Sequence, residues 1–101
     1  MKGNTINEFM SDLRYNGGPE KIFFYNDRWY LIEGDEKDGD GKTYLRLDEY
    51  HRDGCNAGDF ITTHWFGGET FKEAVEEFEK SKIFFGKTIY EVEKDIEVYY
   101  G

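Results

Sequence analysis

The sequence predicts an α+β fold: a four-stranded antiparallel sheet (a meander) with one N-terminal and two C-terminal helices. Three observations predict it. The tetrapeptide T-x-x-E occurs as Thr5-Ile6-Asn7-Glu8, Thr70-Phe71-Lys72-Glu73 and Thr88-Ile89-Tyr90-Glu91, each followed by apolar residues at helical spacing. Between the first and second of these the apolar period changes to two. Aromatic residues make up 19% of the 101 residues, enough large rings to build one core in a single domain, residues 1–101.

The first helix starts at the Thr5 cap and stacks Ile6, Phe9, Met10 and Leu13 on one stripe. It stops at Asn16-Gly17-Gly18-Pro19, where glycine accepts the left-handed conformation and proline cannot continue a helix. Lys21 to Tyr25 and Arg28 to Glu33 then read as strands around Asn26-Asp27, a two-residue hairpin turn whose residues tolerate positive φ. That turn sets Phe24 opposite Trp29, Ile22 opposite Leu31 and Phe23 opposite Tyr30. A third strand is expected from about Thr43 to Tyr50, and a fourth from Phe60 to Phe66 after the turn at 52–58. The second helix carries Phe71, Ala74, Val75 and Phe78. The third carries Ile89, Val92, Ile96 and Tyr99, in a segment whose Val, Ile and Tyr content also suits a strand.

Both sheet faces carry rings. The expected core face is Ile22, Phe24, Trp29, Leu31, Leu45 and Leu47. The opposite face holds Phe23, Tyr25, Tyr30, Tyr44 and Tyr50 with Arg28 and Arg46 between them. Two readings of that second face stand side by side: a surface partly covered by a helix, or a partner-binding face, since Tyr and Arg join an apolar body to a polar tip.

Catalytic and metal-binding patterns fail on their spacing. Glu36, Asp38, Asp40 and Gly41 fit the early positions of an EF-hand loop, but Leu47 stands where the bidentate glutamate belongs. A weak calcium turn and a solvated acidic turn are the remaining readings of that loop. His51, Cys55 and His64 supply three donors, with Asp53 or Asp59 as a fourth, at no standard zinc spacing. Phosphate-binding, dinucleotide and nucleophile-elbow signatures are missing. A non-enzymatic protein with no cofactor and no bound metal is therefore expected. A lone cysteine, no leader-like apolar start and no apolar run of membrane length point to the cytoplasm.

The charge balance is the strongest functional signal. Twenty-two Asp and Glu face 13 Lys and Arg, a net charge of -9. Such a surface repels nucleic acid and attracts basic clefts. Several acids oppose local structure: Glu73 and Glu77, Glu91 and Asp95, and Glu93 and Glu97 are like charges four apart. Solubility alone explains an acid excess. The alternative is that the carboxylates imitate a phosphate backbone and the rings imitate bases.

On Asp35, Glu36, Asp38, Asp40, Asp48, Glu49 and the run from Glu91 to Glu97, the chain resembles the small acidic phage and mobile-element inhibitors of host defence, of the anti-CRISPR type. The resemblance is one of overall character. It implies a basic nucleic-acid-binding partner, such as a Cas effector, whose DNA or RNA channel the protein occupies. The expected partner-binding set is Asp35, Glu36, Asp38, Asp40, Tyr44, Asp48, Glu49, Tyr50, Glu91, Glu93, Asp95 and Glu97. An immunity or antitoxin protein neutralising a basic nuclease, and a weak metal-binding interaction module, are the alternatives.

Overall fold

The computed structural model describes residues 1–37, 39, 41–54 and 57–101. All three threonine caps form. Thr5 Oγ1 accepts from Glu8 N at 3.2 Å, Thr70 Oγ1 from Glu73 N at 3.2 Å, and Thr88 Oγ1 from Glu91 N at 3.3 Å. They open α1 (Ile6–Tyr15), α2 (Phe71–Lys80) and α3 (Ile89–Val92). Only Thr88 completes the reciprocal box, with Glu91 Oε1 accepting from Thr88 N at 3.1 Å.

That full box nevertheless heads the shortest helix, which corrects the expected third helix. After α3 the chain makes a 3-10 turn, Glu93–Asp95, and then a strand, β5 (Glu97–Tyr100). Ile96 and Val98 are buried along an extended backbone, not on a helical stripe. The physical reason is that β-branched and aromatic residues crowd the segment, and continuing the helix would stack its acids four apart. In the extended form these side chains instead pair with the hairpin.

The hairpin strands are β1 (Lys21–Tyr25) and β2 (Arg28–Glu36), followed by β3 (Thr43–His51) and β4 (Phe60–Phe66). Asn26 and Asp27 both take positive φ, 51° and 60°, as the two-residue turn requires. The hairpin register is the expected one, with Phe24 opposite Trp29, Ile22 opposite Leu31 and Phe23 opposite Tyr30. The sheet has five strands in the order β4-β3-β2-β1-β5, with every pairing antiparallel. It is thus a four-strand meander to which β5 adds a fifth strand beside β1.

Glycine is needed where α1 hands over to β1. Gly18 has φ +70°, and a Cβ there would lie 2.7 Å from Gly34 N. Gly34 N donates to Gly18 O at 2.8 Å, so the loop docks on β2 backbone to backbone. A Cβ on Gly34 would likewise meet Gly17 O at 2.7 Å.

The expected core face of the hairpin is inverted. Phe23, Tyr30 and Ile32 are buried with Leu45 and Leu47, while Ile22, Phe24, Trp29 and Leu31 point to the other side and are half-buried. The register explains it: Ile32 pairs with Leu47 and Tyr30 with Glu49. Cross-strand partners share a face, so Leu45 and Leu47 bring Ile32 and Tyr30 inward, not Leu31 and Trp29. The described helices cover this side alone. Phe9 of α1 meets Phe23 edge-on at 5.7 Å, and Phe78 of α2 meets Phe66 at 5.4 Å. Phe84, from the loop after α2, fills the middle, with ring centroids 5.3 Å from Tyr30 and 6.0 Å from Phe23. None of the described helices is long and apolar enough to cross a membrane.

Candidate interaction surface

The layer of helices on one side leaves the other side of the sheet uncovered by any described element. Strand alternation decides what that open face displays. One aromatic row crosses all five strands. Tyr99 of β5 lies 4.7 Å from Trp29 of β2, ring centroid to centroid, and Phe24 of β1 lies 5.1 Å from Trp29. Trp29 is paired with Tyr50 of β3, whose ring is 5.8 Å from Phe60 of β4. Tyr99 is 58% exposed and Phe60 47%. Trp29 keeps its Nε1–H satisfied by donating to Arg52 O at 3.0 Å, so its position is fixed. A second pair, Tyr44 and Trp65, sits towards the far end at 6.3 Å, with Lys37 Nζ 5.6 Å from the Trp65 ring centre.

Between the two ring groups lies a charge cluster. Arg46 reaches Glu33 Oε1 at 2.5 Å, bonds Asp35, and places its Nε 3.3 Å from Asp48 Oδ2, an ion-pair contact at an angle that makes no hydrogen bond. Asp48 is buried and also accepts from Thr63 Oγ1 at 2.7 Å. At the margin, the neighbouring Glu97 carboxylate pushes the Tyr99 phenol up from its ordinary range. Ile22 and Leu31 form the apolar part of the next cross-strand row, which continues to Asp48.

The expected binding residues divide among several places. Tyr44, Tyr50, Asp35, Asp48 and Glu97 fall on the open face. Asp35 and Glu36 belong to β2 and not to a loop, and Glu36 Oε1 accepts from Gly41 N at 2.9 Å, holding the β2–β3 turn. Asp38 and Asp40 lie outside the described residues, as does Cys55.

Glu49 goes the other way. It shares its face with Leu45 and Leu47, so it is only 6% exposed on the helix side of the sheet. There its Oε1 accepts from Arg28 Nη1 at 2.9 Å and from the Tyr30 hydroxyl at 3.0 Å, while His64 Nε2 stands 3.5 Å from its Oε2. Burial, then the charge of Glu49, push the Tyr30 hydroxyl well above the tyrosine range. The imidazole weighed as a zinc donor therefore faces a buried carboxylate. No group of metal-ligating side chains occurs among the described residues.

The C-terminal acids are also apart from one another. Glu93 pairs with the N-terminal amine at 2.9 Å and Glu97 with Lys2 at 3.4 Å. Glu91 is spent on its cap, and the Thr88 N–H holds its carboxyl below the ordinary range. Asp95 is exposed in the 3-10 turn. The carboxylates thus form no single described surface, and Glu33, Asp35 and Asp48 on the open face are gripped by the Arg46 guanidinium.

Trp29, Phe24, Phe60, Trp65 and Tyr99 were not among the expected binding residues. A readable signal existed for the hairpin: Glu33 and Asp35 continue the alternation of Trp29 and Leu31, which marks that parity as the solvent side. No protein-family model, curated protein or solved structure matches the chain significantly.

Proposed function

We propose that this protein is a non-catalytic, acidic binding protein that docks the open face of its sheet against a basic nucleic-acid-binding protein of the Cas effector type and obstructs that partner's DNA or RNA channel. The observation that carries the reading is the uncovered aromatic row from Tyr99 through Trp29 to Phe60 in a chain of net charge -9. The row is exposed at its ends, Tyr99 and Phe60, and half-buried between them; adjoining rings with a polar margin are the usual composition of an interface core. The net charge selects the sign of the partner and speeds encounter with it. Nucleic acid itself is disfavoured by the same charge.

In this reading the rings carry most of the affinity and the surplus carboxylates steer. The test uses a panel of purified Cas effectors and basic nucleases, each loaded with fluorescent DNA or RNA. The protein should displace the nucleic acid from at least one of them at near-stoichiometric ratio, less effectively as salt rises. Trp29→Ala should abolish displacement while circular dichroism remains that of the native fold. Displacement that survives both Trp29→Ala and Tyr99→Ala would overturn the role of the face, and a panel with no displaced member would overturn the reading.

A further inference from the structure

The two edges of the sheet are finished differently. At the β5 edge the N-terminal segment lies alongside: Lys2 N donates to Ile96 O at 2.9 Å, Val98 N donates to Lys2 O at 2.8 Å, and Lys2 and Glu97 form a parallel bridge. A Cβ on Gly3 would fall 2.4 Å from Val98 O, so the segment is pressed close. The Lys2–Glu97 ion pair adds charge to that edge. These are the devices by which sheet edges are protected from pairing with another chain.

Among the described residues, the β4 edge has neither a covering segment nor an ion pair; its one irregularity is a register slip. Its sequence, Phe60-Ile61-Thr62-Thr63-His64-Trp65-Phe66, contains no Lys, Arg, Asp, Glu or Pro. Its register slip lies near one end, between the pairs Glu49–Thr62 and Tyr50–Phe60, and leaves Thr62 to Phe66 in regular pairing with β3. Among the described residues, no backbone group of β4 bonds to anything beyond the sheet ladder. In a chain that is 35% charged, seven uncharged residues, mostly β-branched or aromatic, stand on the open edge.

We infer that β4 is a pairing edge, and that its occupant is β4 of a second copy, joined antiparallel about a two-fold axis near Thr63 into one continuous ten-stranded sheet. A two-fold axis perpendicular to the sheet keeps like faces together. Around Thr63, within the regular stretch, it would set Thr63 beside its own copy and Thr62 beside His64 of the second copy, with uncharged side chains at each pair. The protected β5 edge explains why the assembly closes: a dimer uses up both bare edges, so no fibre grows. The aromatic rows of the two copies would then share one face, and the dimer would present the proposed binding surface twice.

The inference is independent of the proposed partner, and salt separates them. Raising ionic strength should strengthen a dimer of two acidic chains by screening their repulsion, whereas it should weaken docking to a basic protein. Sedimentation equilibrium from about 10 µM to about 1 mM, the range of weak interfaces, should show a species of twice the 12.0 kDa chain. Thr63→Lys sets like charges across the axis, while within one chain its ammonium can meet Asp48, which lies opposite Thr63. It should yield a monomer with unchanged circular dichroism. Ile61→Lys is the second variant, in case the first disturbs the fold. A monomer at every concentration in high salt, a dimer untouched by either folded variant, or open-ended aggregates in place of a dimer would each overturn the proposal.

Discussion

Arg46→Gln tests how the open face is held together. One guanidinium there serves Glu33, Asp35 and Asp48. The three contacts are unequal. Glu33 and Asp35 are partly in water, and pairs of that kind are worth about 0–1 kcal/mol each. The Asp48 side chain is only 12% exposed and, among the described residues, would keep the Thr63 hydroxyl as its one hydrogen-bond donor. Leaving a buried charge short of a counter-charge costs about 1–3 kcal/mol. Together these come to about 1–5 kcal/mol for Arg46→Gln, a sizeable share of the roughly 5–15 kcal/mol that holds a domain together. Urea unfolding at neutral pH reads this as a fall in midpoint at constant slope. Asp48→Asn removes the stranded charge, so Arg46→Gln should cost less in that background, by about 1 kcal/mol or more. High salt should shrink the Glu33 and Asp35 contributions and leave that of Asp48. A loss below about 0.5 kcal/mol for Arg46→Gln, or a double variant that is additive within about 0.5 kcal/mol, would refute the assignment of Arg46 as the clamp.

Three further outcomes follow from local geometry. Phe85 holds φ +55° at a tight turn, half exposed, with Arg28 4.8 Å from its ring centre. A left-handed residue other than glycine costs about 1–2 kcal/mol, and the ring contact returns about 0.5–1 kcal/mol. Phe85→Gly should therefore raise the urea midpoint slightly, and a fall would mean that the ring's contacts outweigh the backbone strain. The Tyr30 hydroxyl has its pKa raised by burial and by Glu49. Its stabilising contribution is present below the unfolded tyrosine value of about 10 and is lost as pH rises beyond it. Tyr30→Phe should be weaker than wild type at neutral pH, with a gap that narrows above about pH 10; a constant gap would contradict the linkage. The Asp12 carboxyl is held low first by its hydrogen bond from Lys21, a lysine only 1% exposed, and then by Asn16. That contribution is complete above the unfolded value near 3.9 and disappears as pH falls through the depressed folded value. Asp12→Asn should lower the melting temperature at neutral pH, and the deficit should close in acid.

How much of this was legible in the sequence depended on how local the cause was. The caps at Thr5, Thr70 and Thr88 and the Asn26-Asp27 turn are decided within a few residues, and each forms as expected. The four expected strands are present, β1 and β4 with the expected bounds. The buried side of the hairpin is a long-range matter. Both parities of β1 and of Trp29 to Ile32 are apolar, and only Glu33 and Asp35, further along β2, mark the solvent side. The choice is made by Ile32 meeting Leu47, a contact fixed by β2–β3 register. The same register sends Glu49 inward and Asp48 outward, neighbours that the sequence presents as one acidic step. The segment after Val92 was ambiguous because its composition serves a strand and its spacing serves a helix. The open position beside β1 settles it, since Phe23 pairs with Val98 there.

The Arg46 clamp also separates two ways in which an acidic chain can meet a basic protein. In mimicry of a phosphate ladder, the carboxylates themselves make the contacts. At the centre of the open face Glu33, Asp35 and Asp48 are already held by Arg46, and partner cations would have to displace a guanidinium that is bound three ways. In steering, the carboxylates act at a distance and the rings make the contacts, so a neutralised cluster at the centre is no obstacle. Arg46→Gln removes one positive charge and frees Glu33 and Asp35, while Asp48 stays bonded to Thr63. Steering then predicts a modest rise in association rate, strongest at low salt, with little change in dissociation. Contact mimicry predicts a marked slowing of dissociation, because freed carboxylates would form new charge-assisted bonds to the partner. Stopped-flow association and chase dissociation, on a partner identified by nucleic-acid displacement, read the two rates separately. A slowed dissociation that persists in Trp29→Ala would move the affinity from the aromatic row to the acids and refute the view that the rings carry the binding.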